Sequence, residues 1–290
     1  MCGIIYAKNL KGKEPVNNLI KILYQNQKDR GKEGFGFVGM RAEKIDTYRA
    51  TQEKGIMGFL NENPYNEILF HHRNPTSTKN TLKSAHPFLI QLDRKSYYFI
   101  HNGIVQNADE LQKEHKERNI AYGSQEQGGF NDSEALAWDF CLWINERQER
   151  MIARGPVAFI CLETDENNRA VKLYFYRNEL VPLRLYMDGK LLVISSEGGY
   201  PALKEDTLYF WDYERRRVLK KGSLKIASKS VYDFYMYDEY PDYDVIMQEE
   251  IWALKQEKDY LICSGRYDEA EYIQEQIDDL SYQLKLKGRI

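Results

Sequence analysis

The first residue of this sequence that could carry chemistry is Cys2, in the opening segment MCGII. If Met1 is removed, the α-amine of Cys2 lies within one residue of its own sulfur. A free α-amine titrates near ~7.7–8.0 and a free thiol near ~8.5, so the amine can act as the base that activates the thiol. The alternative is a buried strand cysteine, because Cys packs well as a small hydrophobe.

A second candidate lies in the segment HHRNPTST, residues 71–78. Arg73 follows an apolar run and precedes Asn74–Pro75, a pair typical of a turn. An arginine at such a strand end suits bidentate binding of a carboxylate, and the hydroxyl of Thr76 can add a hydrogen bond. The alternative is a surface arginine that pairs with one of the many acidic side chains.

Two further segments each allow a structural and a chemical interpretation. Asn102–Gly103 lies between apolar runs, which favours a two-residue hairpin turn. The Asn102 amide and the Gly103 N–H could instead hold an oxyanion. Asp132 fits the N-cap of a helix that begins at Ser133. Its carboxylate could equally bind the ammonium group of a substrate.

Taken together, these residues suit one type of reaction. Cys2 supplies a nucleophile with a built-in base, and Asn102 with Gly103 supplies two oxyanion donors. Arg73 and Asp132 would bind a carboxylate and an ammonium, which together describe a free α-amino acid. Acyl transfer from a side-chain amide of such a molecule implies glutamine or asparagine as the substrate.

The pattern along the chain predicts many short strands and few helices, an α+β arrangement of stacked antiparallel sheets with covering helices. The strand predictions are Cys2–Ala7, Gly34–Met40, Lys44–Ala50, Glu67–His72, Ser96–His101, Pro156–Leu162, Ala170–Tyr176, Lys190–Ser195 and Thr207–Tyr213. The helix predictions are the amphipathic repeat from Val16 to Leu23, Ala108–Arg118 and Ser133–Arg147.

The last 60 residues differ from the rest in charge. Residues 231–290 hold 15 acidic and 6 basic residues, a net charge of −9, and the preceding 230 residues carry +6. An acidic tail argues against nucleic-acid binding. We expect a domain over 1–225, an acidic aromatic linker over 226–243 and a helical hairpin over 244–290, in which Gly265 supplies the turn.

Composition excludes several classes of protein. Hydrophobic residues make up 42% and charged residues 29% of the chain, as in globular proteins, and no apolar run of 18 residues predicts a membrane span. No signal peptide is recognisable, so a cytoplasmic location is expected. His71, His72, His86 and His101 cluster in sequence, but they lack metal-ligand spacing, so neither a metal nor a cofactor is predicted.

The order of motifs resembles the class II glutamine amidotransferase domain, an N-terminal nucleophile hydrolase. The matching segments are CGII at 2–5, RGKEGFG at 30–36, HHRNPT at 71–76, AHPF at 85–88, HNGIVQN at 101–107 and DSEAL at 132–136, with weaker matches in GPVAFI at 155–160, YRNELVPL at 176–183 and VISSE at 193–197. The resemblance implies a four-layer α/β/β/α sandwich followed here by the helical hairpin. It also implies that Cys2 is the nucleophile and that Asn102 and Gly103 form the oxyanion hole.

By the same resemblance, Arg73 holds the α-carboxylate of L-glutamine and Asp132 its α-ammonium, with Thr76 nearby. A cysteinyl thioester would form, and ammonia and glutamate would be released. Glu33 stands where the family more often has aspartate. About 60 residues follow the domain, too few for a second catalytic core, so we expect ammonia to pass to a separate partner enzyme.

Two other functions remain open at this point. The protein could be a catalytically silent binding or regulatory protein on the same fold, or an N-terminal nucleophile amidase that acts on another γ-glutamyl amide. The C-terminal segment faintly resembles a UVR-type helical hairpin, a short protein-interaction motif. That resemblance implies a protein partner for the hairpin, and a generic amphipathic hairpin is the alternative.

Overall fold

The computed structural model describes residues 2–12, 14–42, 44–74, 80–127 and 129–227, together with scattered positions between 251 and 281. The chain divides into two compact units, Met1–Ser228 and Lys229–Ile290. Among the described residues, no helix is long and apolar enough to cross a membrane. The linker predicted over 226–243 and the hairpin predicted over 244–290 fall mostly outside the described residues, so both remain predictions.

Two six-stranded sheets dominate the first unit, and their strands pair antiparallel throughout the described residues. In chain order the elements are β1 (Gly3–Asn9), α1 (Asn17–Asn26), β2 (Phe35–Arg41), β3 (Lys44–Ala50), α2 (Glu53–Glu62), β4 (Glu67–His72), β5 (Phe88–Leu92), β6 (Lys95–Gly103), α3 (Ala108–Glu117), α4 (Asp132–Ile144), β7 (Val157–Thr164), β8 (Ala170–Arg177), β9 (Arg184–Met187), β10 (Leu191–Ser195), β11 (Thr207–Asp212) and β12 (Arg217–Ser223). The first sheet has the order β3-β2-β4-β1-β10-β9 and the second the order β12-β11-β8-β7-β6-β5.

Alternation of side chains along the strands produces four layers. In β1, Ile4 packs between the two sheets and Ile5 packs against the layer of α1 and α2. In β6, Ile100 faces the space between the sheets and Phe99 faces the layer of α3 and α4. The order of layers is therefore α/β/β/α, which confirms the fold class predicted from the sequence.

Helix α4 is capped by Asn131, and the predicted cap at Asp132 is wrong by one residue. The side-chain oxygen of Asn131 accepts a hydrogen bond of 2.9 Å from the N–H of Ser133. The helix itself begins at Asp132. Asn and Asp are equally good caps, so the sequence alone does not decide between neighbouring residues of these types. The carboxylate of Asp132 is consequently available for a role other than capping.

The hairpin-turn interpretation of Asn102–Gly103 is also wrong. Both residues end strand β6, where they pair with Ala158 and Val157 of β7. Helices α3 and α4 lie between β6 and β7 in the chain, so no tight turn connects these strands. Gly103 has a φ of 129°, and a Cβ there would lie 1.9 Å from the carbonyl oxygen of Pro156. The glycine is required by this close approach of two strands.

A buried carboxylate anchors the helix that carries Asp132. Asp139 of α4 accepts hydrogen bonds from the N–H groups of Ile152 at 2.9 Å and Ala153 at 2.8 Å. Burial raises the pKa of Asp139 to about 6, although these backbone donors act in the opposite direction. The folded chain therefore binds a proton at Asp139 more tightly than the unfolded chain does.

We predict that this carboxylate makes stability depend on pH. Because the pKa of Asp139 is higher in the folded state, its stabilising effect is complete below about pH 4 and is lost as the pH rises through about 6. The unfolding free energy of the native sequence should fall relative to that of Asp139→Asn by about 2–3 kcal/mol between those limits, measured by urea denaturation. Asp93 serves as a control, because its hydrogen bond with Arg147 lowers its pKa. The unfolding free energy of the native sequence should therefore rise with pH relative to that of Asp93→Asn. Parallel pH profiles for the native protein and Asp139→Asn would contradict the prediction.

Candidate active site

Cys2 lies immediately before β1 and faces the space between the two sheets. Side chains alternate along a strand, so Cys2 shares its face with Ile4, which packs in the inter-sheet core. Gly3 faces the other way, where a Cβ would lie 1.8 Å from Nε2 of His72. The imidazole of His72 thus occupies the place of a side chain at position 3, and the strand that carries Cys2 lies directly against it.

The backbone of Cys2 is held by a buried ion pair that the sequence did not reveal. The Arg30 side chain donates from Nε to the carbonyl oxygen of Cys2 at 3.0 Å, and its Nη1 lies 3.0 Å from Oε1 of Glu197. The hydroxyl of Ser196 accepts the N–H of Ile4 at 3.1 Å. Arg30 and Glu197 lie within the motifs RGKEGFG and VISSE, but only the folded chain brings them together. They fix the position of the peptide that carries the thiol.

Asn102 faces the same inter-sheet space from the opposite sheet. It lies two residues from Ile100 along β6 and is fully buried. Neither Nδ2 nor Oδ1 of Asn102 has a hydrogen-bond partner among the described residues. A buried amide without partners is costly, because its desolvation is not compensated. This side chain is therefore available to bind a ligand.

The N–H of Gly103 points to an open edge of β6. The next residue, Ile104, donates its N–H to the carbonyl oxygen of Pro156 on the β7 side at 2.9 Å. Successive N–H groups of a strand point to opposite edges, so the Gly103 N–H points away from β7. On that side the pairing of β6 with β5 ends at Phe99, opposite Phe88. The geometry therefore allows Gly103 to donate to a ligand.

Arg73 directly follows β4 and is 97% buried, with a relative exposure of 3%. Its N–H donates to the carbonyl oxygen of Gly34 at 2.8 Å, and its own carbonyl oxygen accepts the N–H of Glu33 at 3.0 Å. Its Nη1 donates to the hydroxyl of Ser84 at 3.0 Å. Burial lowers the pKa of Arg73, whereas Cys2, Asp132 and Glu33 raise it. Arg73 therefore lies close enough to Cys2 and Asp132 for their charges to influence its pKa.

Asp132 is half-buried at the start of α4. Its Oδ2 accepts the N–H of Val105 at 2.8 Å. Burial raises the pKa of the Asp132 carboxyl, while the backbone N–H groups of Val105 and Ser133 and the charge of Arg73 lower it. A cationic group bound beside this carboxylate would compensate for the burial.

Burial dominates the acidity of the thiol. It raises the pKa of Cys2, the nearby Arg73 charge lowers it, and the Asp132 carboxylate raises it further. The Cys2 thiol also donates to the carbonyl oxygen of Asn74 at 3.7 Å. The resting sulfur is thus a neutral thiol at neutral pH and needs a base at the moment of attack. Thr76, the remaining sequence-predicted site residue, lies outside the described residues.

Several buried histidines lie on or beside the strands that carry Cys2 and Asn102. His71 Nε2 donates to the carbonyl oxygen of His101 at 3.1 Å, and the rings of His71 and His86 stack at a centroid distance of 3.8 Å. Burial lowers the pKa of His101 to about 3 and that of His72 to about 4, so these rings are neutral near pH 7. Within the described residues, no group of three or more His, Cys, Asp or Glu side chains is arranged to hold a metal ion.

Comparison with known proteins gives both sequence and structural relatives. No family model matches the chain. The isomerizing glutamine–fructose-6-phosphate aminotransferase of Chlamydia pneumoniae is 25% identical over 292 residues, which cover 94% of this chain and 44% of that protein. The chain therefore spans less than half the length of this curated relative.

Two solved structures share the fold. The allosteric regulatory enzyme of purine biosynthesis has a TM-score of 0.61 at 19% identity, and the glutamine phosphoribosylpyrophosphate amidotransferase of B. subtilis has a TM-score of 0.57 at 18% identity. Each match covers 83% of this chain and 53% of the solved one. The chain thus has the fold of the class II glutamine amidotransferase domains, which confirms the resemblance expected from its motifs.

Proposed function

We propose that the protein hydrolyses the side-chain amide of L-glutamine through a Cys2 thioester, giving glutamate and ammonia. The observation that carries this proposal is the buried Asn102 amide on the inner face of β6, because side-chain alternation turns Cys2 toward the same inter-sheet space. Asn102 is buried with both amide atoms unpartnered among the described residues. An amide in that state suits a group that gains its partner only when a charged oxygen forms in front of it.

Substrate recognition follows from the two charged groups beside Cys2. The guanidinium of Arg73 binds the α-carboxylate and the carboxylate of Asp132 binds the α-ammonium. Both groups influence the pKa of Cys2, which supports their placement around one pocket. Both groups are also largely buried. Each therefore has less hydration free energy to lose when it binds a substrate charge than an exposed group would have.

The reaction then needs one base and two oxyanion donors. After Met1 is removed, the α-amine of Cys2 accepts the thiol proton, and the sulfur attacks the amide carbon. The amide oxygen becomes an oxyanion, which the Nδ2 of Asn102 and the N–H of Gly103 stabilise. The C–N bond breaks, the proton passes from the α-ammonium of Cys2 to the leaving nitrogen, and ammonia departs. Water then hydrolyses the thioester to glutamate and free thiol.

We further propose that the ammonia passes to a separate partner enzyme. In support, the relative from Chlamydia pneumoniae is by name a glutamine–fructose-6-phosphate aminotransferase, which transfers nitrogen to a second substrate. The C-terminal segment 244–290 is our candidate for a protein-interaction element. Its described residues include a small apolar cluster of Ile251, Ala270, Ile273 and Ile277.

A second candidate function is hydrolysis of another γ-glutamyl amide. Arg73 and Asp132 would recognise only the α-amino acid end, which all such amides share. Relative rates on glutamine, asparagine and γ-glutamyl amides distinguish the two candidates, since a clear loss for glutamine favours the second.

The first prediction of this proposal concerns Cys2. The purified protein should have the mass of a chain without Met1 and should release glutamate from glutamine, because the free α-amine of Cys2 is the required base. Cys2→Ala should release none above the uncatalysed rate, measured by a coupled glutamate assay. Cys141→Ala, which removes a buried thiol of α4, should keep its activity. Equal rates for the native protein and Cys2→Ala would refute glutamine hydrolysis, and a retained Met1 would favour a binding or regulatory protein on this fold.

The second prediction separates catalysis from stability at Asn102. Asn102→Leu should lower kcat by about 10²–10³-fold, because one oxyanion donor is lost. Its unfolding free energy should not fall, because this amide has no partner to lose within the described structure. Asn178 is the matched control, since its buried amide bonds to Val157 and Gly155. Asn178→Leu should destabilise the fold by about 1–3 kcal/mol. An unchanged kcat for Asn102→Leu would exclude Asn102 from the oxyanion hole.

The third prediction concerns Arg73. Arg73→Ala should raise the KM for glutamine by about 10–100-fold with a smaller change in kcat, because a charge-assisted contact to the α-carboxylate is lost. The KM of Arg73→Lys should lie between those of the native protein and Arg73→Ala, because lysine keeps the charge but cannot bind a carboxylate in bidentate fashion. Steady-state kinetics on all three proteins check this order. A KM for Arg73→Ala equal to that of the native protein would show that Arg73 does not hold the substrate.

A further inference from the structure

We propose that Ser84 and Asn131 are positioning residues that set the distance between Arg73 and Asp132. They connect the two charged groups through a hydrogen-bonded bridge, and this bridge determines how well the site recognises the α-amino acid end of its substrate. The inference rests on the proposed function, because it assigns the α-carboxylate to Arg73 and the α-ammonium to Asp132.

Ser84 forms the half of the bridge that holds Arg73. Its hydroxyl accepts a hydrogen bond from Nη1 of Arg73 at 3.0 Å. The same hydroxyl accepts the N–H of Thr81 at 3.1 Å and donates to the carbonyl oxygen of Thr81 at 3.0 Å. Ser84 is 3% exposed, so these bonds do not compete with water. The hydroxyl is thus fixed by its own loop and presents a defined acceptor to the guanidinium.

Asn131 forms the half that holds Asp132. Its Nδ2 donates to the carbonyl oxygen of Ser84 at 3.0 Å, and its Oδ1 accepts the N–H of Ser133 at 2.9 Å. Asn131 is also 3% exposed. One side chain therefore caps the helix that begins at Asp132 and binds the residue that holds Arg73.

Neither sheet fixes this distance by itself. Arg73 follows β4 of the first sheet, whereas Asp132 begins α4, which covers the second sheet. Strand register therefore places each group only within its own half of the sandwich. The path from Arg73 through Ser84 and Asn131 to the first turn of α4 is short, buried and made of hydrogen bonds near 3.0 Å. Ionic contacts depend strongly on geometry, so a loosened bridge should weaken recognition of the substrate charges.

The experiment compares the contribution of the α-carboxylate between variants. Glutamine is compared with 4-aminobutanamide, which keeps the amide and the amine but lacks the α-carboxylate. The variants are Ser84→Ala, Asn131→Ser, Arg73→Ala and Thr164→Val. Asn131→Ser keeps a good N-cap but is too short to reach the carbonyl oxygen of Ser84. Thr164→Val removes another buried hydroxyl, which bonds Ser96 about 20 Å along β6 from Asn102.

We expect Ser84→Ala and Asn131→Ser each to reduce the kcat/KM preference for glutamine over 4-aminobutanamide by about tenfold, mainly through KM. Arg73→Ala should abolish the preference, and Thr164→Val should leave it unchanged. Equal losses on both substrates, or an unchanged preference in both bridge variants, would overturn the inference. An unchanged preference in Arg73→Ala would instead overturn the role of Arg73 in the proposed function.

A binding measurement tests the bridge without catalysis. In a Cys2→Ala background, calorimetry should show that Ser84→Ala weakens glutamate binding by about tenfold, while its thermal unfolding temperature matches that of Thr164→Val. Unchanged glutamate affinity in Ser84→Ala would overturn the inference. If the native protein binds glutamate but does not hydrolyse glutamine, the proposed reaction fails, and this measurement still tests the bridge.

Discussion

The candidate site depends on the burial of polar groups in and around the space between the two sheets. Cys2, Arg73, Asp132 and the surrounding histidines all have pKa values displaced by removal from water, and burial is the largest influence on each. A neutral thiol and neutral imidazoles are the consequence. Under the proposed mechanism, the thiol therefore needs a proton acceptor that the chain itself supplies. Packing of the two sheets creates this condition, because it places Cys2 and Asn102 on facing inner surfaces.

Much of the fold was predictable because many strands are short apolar runs that are buried along most of their length. Strands β3 and β4 begin and end at the predicted residues, and every residue of β4 is buried. Helix α2 was missed because Gly55 and Gly58 lower its helix propensity, and burial of Ile56 and Leu60 compensates for this. The strands β5, β9 and β12 were also missed, and each lies at the edge of a sheet. Strands β5 and β9 have only five and four residues, and no residue of β12 is buried, so each has a weak apolar pattern.

The residue types of the site could be recognised from the sequence, but their supports could not. Cys2, Arg73, Asn102 and Asp132 stand in ordered motifs that suggest a reaction. Arg30 with Glu197, and Ser84 with Asn131, are separated by 167 and 47 residues and act only as pairs. A single sequence holds no signal for such pairs, because each partner alone is an ordinary polar residue. Similarly, the sequence favoured Asp132 as the cap of α4. Only the backbone geometry shows that the Asn131 side chain is the one that reaches the N–H of Ser133.

Gly3 and Gly103 lie next to Cys2 and Asn102, one in each sheet, and in both cases another atom lies within 2 Å of the position that a β-carbon would take. Every missense change in either codon adds such a carbon. A substitution would therefore require the chain to move, at Gly3 the His72 side chain or the strand that follows Cys2, and at Gly103 the backbone of one of two paired strands. The two ends of the candidate site can thus tolerate few amino acids at these positions.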